Sequence, residues 1–340
     1  LLAFSLALIF SFNVGAQDAA EVPAVSGEVA YILNTFLFLV CGFLVMFMAA
    51  GFCMLEAGQV RSKNTAVICL KNIGLFSIAG FMYYLVGYNL MYDGVDGGYI
   101  GSFSMFDRSS EVDLETGYAA ASDWYFQMVF VATTASIVSG ALAERILIWP
   151  FFLFTAILTA FIYPIAGSWQ WGGGWLSEMG FSDFAGSTLV HSVGGYAALA
   201  GAILLGARDG KYSADGKVNV IGGCSLPMTT LGVFILWLGW FGFNGGSQLA
   251  LGSGADATAV ADIFVNTNLA AAGGVLACMI VSKATNSHTN IAATLNGAIA
   301  GLVAITAEPL TPSMGQAVII GAIGGIICMY GMKLLDMLKI

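Results

Sequence analysis

Two residues in and next to one apolar stretch have the chemistry to handle a proton or a cation. His191 lies within the run of residues 186–205, and Asp183 lies just before that run, eight residues before His191. If the residues between them are helical, the imidazole lies roughly 12 Å deeper than the carboxylate, at about 1.5 Å per residue. An ionisable ring inside a bilayer is costly, so it favours a transport pathway or a proton-handling site. A buried imidazole that is only hydrogen-bonded is the alternative.

The type and position of Asp183 support two roles. A carboxylate at the N-terminus of a helix accepts hydrogen bonds from free backbone N–H groups, and this capping role is the main expectation. The second role is to orient carbonyl groups or water around a bound cation.

Aromatic residues accumulate near the same end of the predicted helix. Residues 169–175 read WQWGGGW. Tryptophan is common at membrane interfaces, but its ring face also attracts small cations, and both interpretations stay open. On another apolar segment Phe243 and Ser247 are four residues apart and therefore share a helix face. Phe130 lies in a third segment, where a phenylalanine usually faces lipid or core.

The elements that must position these residues are membrane helices. The chain is 58% hydrophobic and 9% charged, whereas soluble domains carry about 25% charge. Apolar stretches close to the roughly 20 residues of a spanning helix recur along it. We therefore expect an all-α polytopic membrane protein. The predicted spans are residues 29–55, 66–88, 124–142, 148–166, 186–205, 226–246, 263–281, 291–307 and 317–335.

Basic residues predict the orientation, because Lys and Arg accumulate on the cytoplasmic side. With the N-terminus outside, ten of the eleven lie at inner connections and helix ends, and Arg108 lies outside. The ten are Arg61, Lys63, Lys71, Arg145, Arg208, Lys211, Lys217, Lys283, Lys333 and Lys339. The outer loop from Asp93 to Asp123 is acidic, which predicts a solvated loop or a weak attraction of cations.

Other classes of function find no support in the residues. The net charge of −9 without a basic cluster argues against nucleic acid as a partner. Six single cysteines lack metal-site spacing, and no nucleophilic triad or phosphate loop occurs, so we expect no enzyme, metal or cofactor. Few carboxylates are candidates for burial, and Glu56 is one of them, at the inner end of the first predicted helix. Glu144 is expected to pair locally with Arg145 or to accompany contacts with helix-end carbonyls.

The two ends of the chain carry expectations of their own. Residues 1–16 are typical of the apolar core of a partial signal peptide, with small residues at 14–16, and a short extra helix is the alternative. Residues 17–340 are expected to form one membrane domain that is incomplete at its C-terminus.

Six motifs together resemble the ammonium transporter family (the Amt/methylammonium permease/Rhesus group). They are RSKN at 61–64, GALAER at 140–145, WGGG at 171–174, DFAG at 183–186, GWFGFN at 239–244 and NGAIAGLV at 296–303. The resemblance implies an inverted-repeat bundle of eleven helices, of which nine are present here, assembled as a homotrimer with one pore per subunit.

The resemblance also implies roles for particular residues. Phe130, Trp171 and Ser247 would bind ammonium or methylammonium at an outer site, and Asp183 would support that site. Phe130 and Phe243 would stack as a gate.

Below the gate, His191 would be the first of two pore histidines, with the second expected beyond Ile340. His288 cannot replace it, because a polar inner loop predicts a solvated side chain. Ammonia would pass through the pore, with or without a separate proton relay.

The resemblance further implies a multi-pass protein of the cell (plasma or inner) membrane whose missing cytoplasmic tail contacts a regulatory protein. Two other functions remain open. One is an ammonium sensor with a C-terminal signalling domain, and the other is a Rhesus-like gas channel, which Trp171 and Ser247 disfavour.

Overall fold

The protein is an all-helical bundle in the computed structural model, which describes residues 25–108, 110–286 and 288–340. The predicted signal peptide, residues 1–16, lies outside the described residues. The long helices are α1 (Gly27–Gln59), α2 (Ser62–Tyr92), α3 (Ala120–Ala141), α4 (Ile148–Ser168), α5 (Ser187–Leu205), α6 (Leu226–Gly246), α7 (Gly254–Asn286), α8 (Ile291–Ile305) and α9 (Met314–Leu338). A short helix, Trp175–Glu178, lies between α4 and α5.

Seven helices of the described part are long and apolar enough to cross a membrane, and α8 is a shorter apolar helix. Each predicted span coincides with one of the long helices, which confirms the all-α polytopic class. The exact number of crossings, the inverted repeat and the truncation stay predictions.

Three of the helices contain wide π-helical turns. These turns are Tyr83–Gly87 in α2, Leu158–Ile162 in α4 and Ser187–Ser192 at the start of α5. A π turn re-aims the side chains that follow it, and such turns occur often at functional sites.

Hydropathy alone misplaced the start of α7, which begins at residue 254 rather than 263. The cause is a polar cap: the Ser253 hydroxyl accepts a hydrogen bond from the Asp256 N–H at 3.1 Å and donates to the Asp256 carboxylate at 2.7 Å. A hydroxyl that satisfies first-turn N–H groups extends the helix beyond its apolar part.

Close helix crossings build the centre of the bundle. A Cβ atom added to Gly242 of α6 would lie 2.6 Å from the carbonyl oxygen of Cys41 in α1. At the crossing of α7 and α8, a Cβ on Gly274 would lie 2.1 Å from the carbonyl oxygen of Gly297. Membrane helices lack a hydrophobic driving force between them, so small residues and close van der Waals packing take its place.

An ion-pair cluster ties together the inner ends of several helices. Glu144 follows α3 and contacts Arg61 at 3.1 Å and Arg208 at 3.3 Å. Burial by itself raises the pKa of Glu144, but the hydrogen bonds from Arg61 and Asn64 outweigh it and lower the pKa to about 2. The predicted local pair with Arg145 does not form, because Glu144 turns toward these other partners.

Arg145 satisfies the other part of that prediction. Its guanidinium donates to the carbonyl oxygen of Gly206, which caps the C-terminus of α5, at 3.1 Å. Lys71 differs from its predicted place at a helix end. It lies well inside α2, is 3% exposed and contacts Glu56 of α1 at 3.3 Å.

Candidate functional site

Asp183 is bonded entirely to the first turn of α5. Its Oδ1 accepts hydrogen bonds from the N–H groups of Gly186 at 3.0 Å and Ser187 at 2.9 Å. Its Oδ2 accepts from Thr188 and Leu189, both at 2.8 Å. The carboxylate is 1% exposed and acts as the helix cap that its position predicts.

Gly186 links this cap to the histidine below it. Its φ of +100° lies in the left-handed region, and an added Cβ would lie 2.6 Å from Val190 Cγ2 and 2.9 Å from Trp171 Cη2. Its carbonyl oxygen accepts from the N–H groups of Val190 and His191, each at 3.0 Å, which widens the turn into a π-helix. Only glycine fits this position without strain.

The imidazole of His191 has a defined tautomer. Nδ1 lies 2.9 Å from the carbonyl oxygen of Gly186, and because a carbonyl only accepts, Nδ1 carries the hydrogen. The neutral ring then has Nε2 as a free acceptor, and this buried atom has no hydrogen-bond partner among the described residues. The ring stacks on Trp240 at 5.0 Å between centroids. Trp240 is itself held by donating to Thr306 Oγ1 of the segment after α8, at 2.8 Å.

Two phenylalanine rings lie directly above the histidine. The Phe130 and Phe243 rings stack at 4.0 Å between centroids with an angle of 24°, and both are almost fully buried. The Phe243 and His191 rings meet edge to face, with 5.3 Å between their centroids. The two phenylalanine rings lie between an outer cavity, which Phe130 lines, and an inner cavity, which His191 lines.

The outer cavity has a volume of about 340 Å³. Its lining is aromatic and polar: Tyr88, Tyr92, Tyr118, Asp123, Phe126, Gln127, Phe130, Trp171, Phe184, Ser247 and Leu249. Aromatic faces and a few acceptor oxygens, without a basic side chain, make a cavity suited to a small cation.

Hydrogen bonds fix the groups that face this cavity. The Trp171 indole donates from Nε1 to the carbonyl oxygen of Asp183 at 2.8 Å and meets the Phe130 ring edge to face at 6.0 Å. The Ser247 hydroxyl donates to the carbonyl oxygen of Phe243 at 2.8 Å. That bond occupies the hydroxyl hydrogen, so the Ser247 oxygen remains as an acceptor.

One member of this lining differs from its predicted place. The sequence predicts Asp123 in the acidic outer loop, but it lies in the first turn of α3, is 7% exposed and accepts a hydrogen bond from the Tyr88 hydroxyl. Its carboxylate faces inward because α2 brings tyrosines against this turn. An acidic residue directly before an apolar run is the one signal in the sequence, and it does not tell which way the side chain points.

The inner cavity lies below the two stacked rings and measures about 730 Å³. Its lining includes His191, Trp240, Ser136, Gly140, Glu56 and Gln59, and it extends to Arg208 and Lys211 at the inner surface. His288 lies elsewhere, exposed in the loop between α7 and α8, as the sequence predicts.

The structure thus brings all six predicted site residues together in one column. Phe130, Trp171 and Ser247 line the outer cavity, Phe243 stacks on Phe130, and His191 lies beneath. Asp183 reaches the column through the indole of Trp171 and the cap of α5. The fold and the column define a polytopic membrane protein with two cavities separated by stacked aromatic rings.

Comparisons with known proteins agree with this arrangement. The sequence profile of the Ammonium Transporter Family matches residues 36–340. Ammonium transporter Amt2 of Archaeoglobus fulgidus is 45% identical over 327 residues, covering 93% of this chain and 67% of that protein. A putative ammonium transporter of Synechocystis sp. is 43% identical over 337 residues, covering 98% of this chain and 76% of that protein.

Solved structures show the same fold. A sensor Amt protein superposes with a TM-score of 0.86 at 37% identity, covering 92% of this chain and 77% of that one. Mep2 of Candida albicans superposes with a TM-score of 0.82 at 31% identity, covering 93% and 69%. The chain belongs to the ammonium transporter family and is a multi-pass membrane protein.

Proposed function

We propose that this protein carries ammonium across the cell membrane by binding the ion outside and passing ammonia through the pore. The observation that carries the proposal is the vertical order of the column. A cavity that suits a cation lies above two stacked rings, and a histidine with a free acceptor nitrogen lies directly below them.

The outer cavity supplies the binding energy for ammonium. The face of Trp171 and the ring of Phe130 attract a small cation, each by about 0.5–2 kcal/mol in a partly desolvated site. The Ser247 oxygen accepts a hydrogen bond from the ion. This bond is stronger for the charged ion than for neutral ammonia, because the donor carries a charge. Methylammonium fits the same chemistry because it keeps three N–H donors.

The gate selects against the intact ion. Phe130 and Phe243 offer no acceptor to replace water around a charge, and burial of an unpaired charge is very costly. Ammonia, which is neutral, passes when the rings part. The proton that stays behind either leaves outward or moves separately along pore histidines.

His191 receives the ammonia below the gate. Its Nε2 lone pair accepts a hydrogen bond from ammonia, while its Nδ1–H continues to donate to the carbonyl oxygen of Gly186. Under this proposal a second pore histidine, which the family resemblance implies, donates or accepts at the next position.

Uptake of labelled methylammonium tests the proposal. The full-length protein is expressed in cells that lack their own ammonium transporters, and its uptake is compared with that of His191→Ala. The matched control is His288→Ala, which changes an exposed loop histidine. We expect His191→Ala to change the rate or the charge moved per molecule and His288→Ala to leave both unchanged. Unaltered transport by His191→Ala removes the role proposed for this residue.

A sensor is the second candidate, favoured by the similarity to a sensor Amt protein. It would use the same outer site and convey occupancy to a C-terminal signalling domain. Ammonium binding without methylammonium uptake distinguishes a sensor from a transporter. A Rhesus-like gas channel is less favoured, because Trp171 and Ser247 suit a charged ligand.

The assembly belongs to the same proposal. We propose a homotrimer in the plasma or inner membrane, with one pore per subunit and a cytoplasmic regulatory protein that meets its inner face. Cross-linking of the purified protein tests the trimer.

A further inference from the structure

A buried ion pair lies beside the inner cavity, which its carboxylate lines, and the pore mechanism above does not use it. Glu56 of α1 and Lys71 of α2 are 4% and 3% exposed. Glu56 Oε2 contacts Lys71 Nζ at 3.3 Å and accepts from the Ser139 hydroxyl at 2.8 Å and from Asn72 Nδ2 at 3.4 Å. Lys71 also donates to the carbonyl oxygen of Ser139 at 2.6 Å. One oxygen of the carboxylate is therefore held rigidly by three neighbours.

The other carboxylate oxygen has no such partners in the described part of the chain. Glu56 Oε1 is buried and has no hydrogen-bond partner among the described residues. Gly140 of α3 lies beside it, and a Cβ atom there would be 3.9 Å from Oε1. Both residues line the inner cavity, which also contains His191, and Gly140 has no side chain to lie between the Glu56 carboxylate and that space.

The depth of this oxygen follows from α3. Phe130 of the gate and Ser139, which bonds Glu56, are nine residues apart on the same helix. At about 1.5 Å per residue they are separated by roughly 13 Å along the pore. Glu56 thus lies at the inner end of the passage, where it widens toward the inner surface.

A buried carboxylate oxygen without a donor is unfavourable, and a donor from the cavity relieves that cost. Lys71 already neutralises the net charge of the group, so a cation that binds Oε1 is held by a charge-assisted hydrogen bond without being trapped. A small ion with N–H donors matches this geometry, because it bonds Oε1 and still contacts water of the cavity.

We propose that Glu56, with Lys71 and Ser139 behind it, forms an inner binding site for the ammonium ion at the cytoplasmic mouth of the pore. The site rests on the proposed transport function and deepens it. It makes the inner end of the pore saturable by ammonium independently of the outer cavity.

Transport measured from each side tests the proposal. The full-length protein is placed in liposomes in one orientation, and the half-saturating ammonium concentration is measured for influx and for efflux. The main variant is Glu56→Gln combined with Lys71→Gln, which removes both buried charges together and leaves neither unpaired. We expect its half-saturating concentration for efflux to rise about tenfold, the effect of one charged hydrogen bond, with that for influx unchanged.

A second variant keeps the charges. Gly140→Ala adds a methyl group that sits beside Oε1 at van der Waals distance and favours the helix. We expect a smaller rise in the efflux value alone, and this variant decides the matter if the double variant does not fold. The control is Glu28→Gln, at the exposed outer end of the same helix, which should change neither value.

The outcomes separate the inner site from the transport function. If the wild type shows influx and the variants keep its half-saturating concentration for efflux, the inner site alone is overturned. An equal rise for influx and efflux also overturns it, because that result indicates a structural role. Absence of transport by the wild type in both directions refutes the transport function itself.

Discussion

Replacement of Asp183 by alanine removes a single side chain that accepts four backbone hydrogen bonds at the start of α5. Loss of an N-cap costs about 0.5–2 kcal/mol. Each buried N–H left without an acceptor costs about 1–3 kcal/mol. If two of the four N–H groups find other acceptors, the two that remain unpaired cost roughly 4 kcal/mol in the free energy of unfolding, at about 2 kcal/mol each. The loss should lower the melting temperature by roughly 8 °C or more, at about 2 °C per kcal/mol for a chain of this size.

The same change should disturb the outer cavity. The carbonyl oxygen of Asp183 holds the indole of Trp171, and the cap holds Gly186, whose carbonyl orients His191. When the cap is lost, these groups shift together. A misplacement of about 1 Å in a binding site costs on the order of 100-fold in rate. We therefore expect methylammonium uptake by Asp183→Ala to fall by about that factor.

The assay combines two measurements on the same protein. Thermal unfolding in detergent gives the loss of stability, and uptake of labelled methylammonium gives the loss of transport. Asp93→Ala is the matched control, because Asp93 is an exposed acidic residue on the same outer side. A variant Asp183→Ala that melts within about 2 °C of the wild type would refute this account of the cap, since that shift corresponds to only about 1 kcal/mol.

Three further predictions follow from single contacts. Gly186→Ala should destabilise the protein by about 3 kcal/mol, because it adds left-handed strain to a steric clash, and thermal unfolding measures it; an unchanged melting temperature contradicts it. The pKa of Glu144 is lowered to about 2 by its partners Arg61 and Asn64, so its stabilising effect is complete above its ordinary pKa and is lost as the pH falls toward 2. The melting temperature of the wild type should therefore fall more steeply below pH 5 than that of Glu144→Gln, and parallel curves exclude this linkage. Gly242→Val should separate α1 from α6 and abolish folding or lower the yield of folded protein in size-exclusion chromatography, whereas a normal yield shows that the crossing tolerates a side chain.

Much of the candidate site could be predicted because its motifs are local. The run from Asp183 to His191 places a capping carboxylate and a glycine just before the start of a helix and a histidine in its second turn. All three residues can therefore be recognised along the chain. Phe130, Trp171 and Ser247 were placed by the family resemblance. Such rings and hydroxyls are common in any membrane protein. Because the three residues lie on different segments, their positions along the chain do not predict the distances between them.

Other features could not be predicted from the chain. Asp123 looks like a loop carboxylate until Tyr88 is brought against it, and Lys71 looks like a helix-end cation until α1 presents Glu56. Each of these two side chains is buried against a partner on another helix. Hydropathy averages over a segment and does not report which face a single charged residue occupies.

By itself the sequence determined the class of this protein, a bundle of apolar helices with a histidine below a capping carboxylate in one of them. Composition and local spacing suffice for that, because helix formation and burial in lipid depend on each segment separately. Only the tertiary structure decided that the Phe130 and Phe243 rings stack between two cavities, and that Glu56, which lines the inner one, has one oxygen bonded and one without a partner among the described residues. Those properties depend on how α1, α3, α5 and α6 cross, and the crossings are set by close contacts between small residues on different helices.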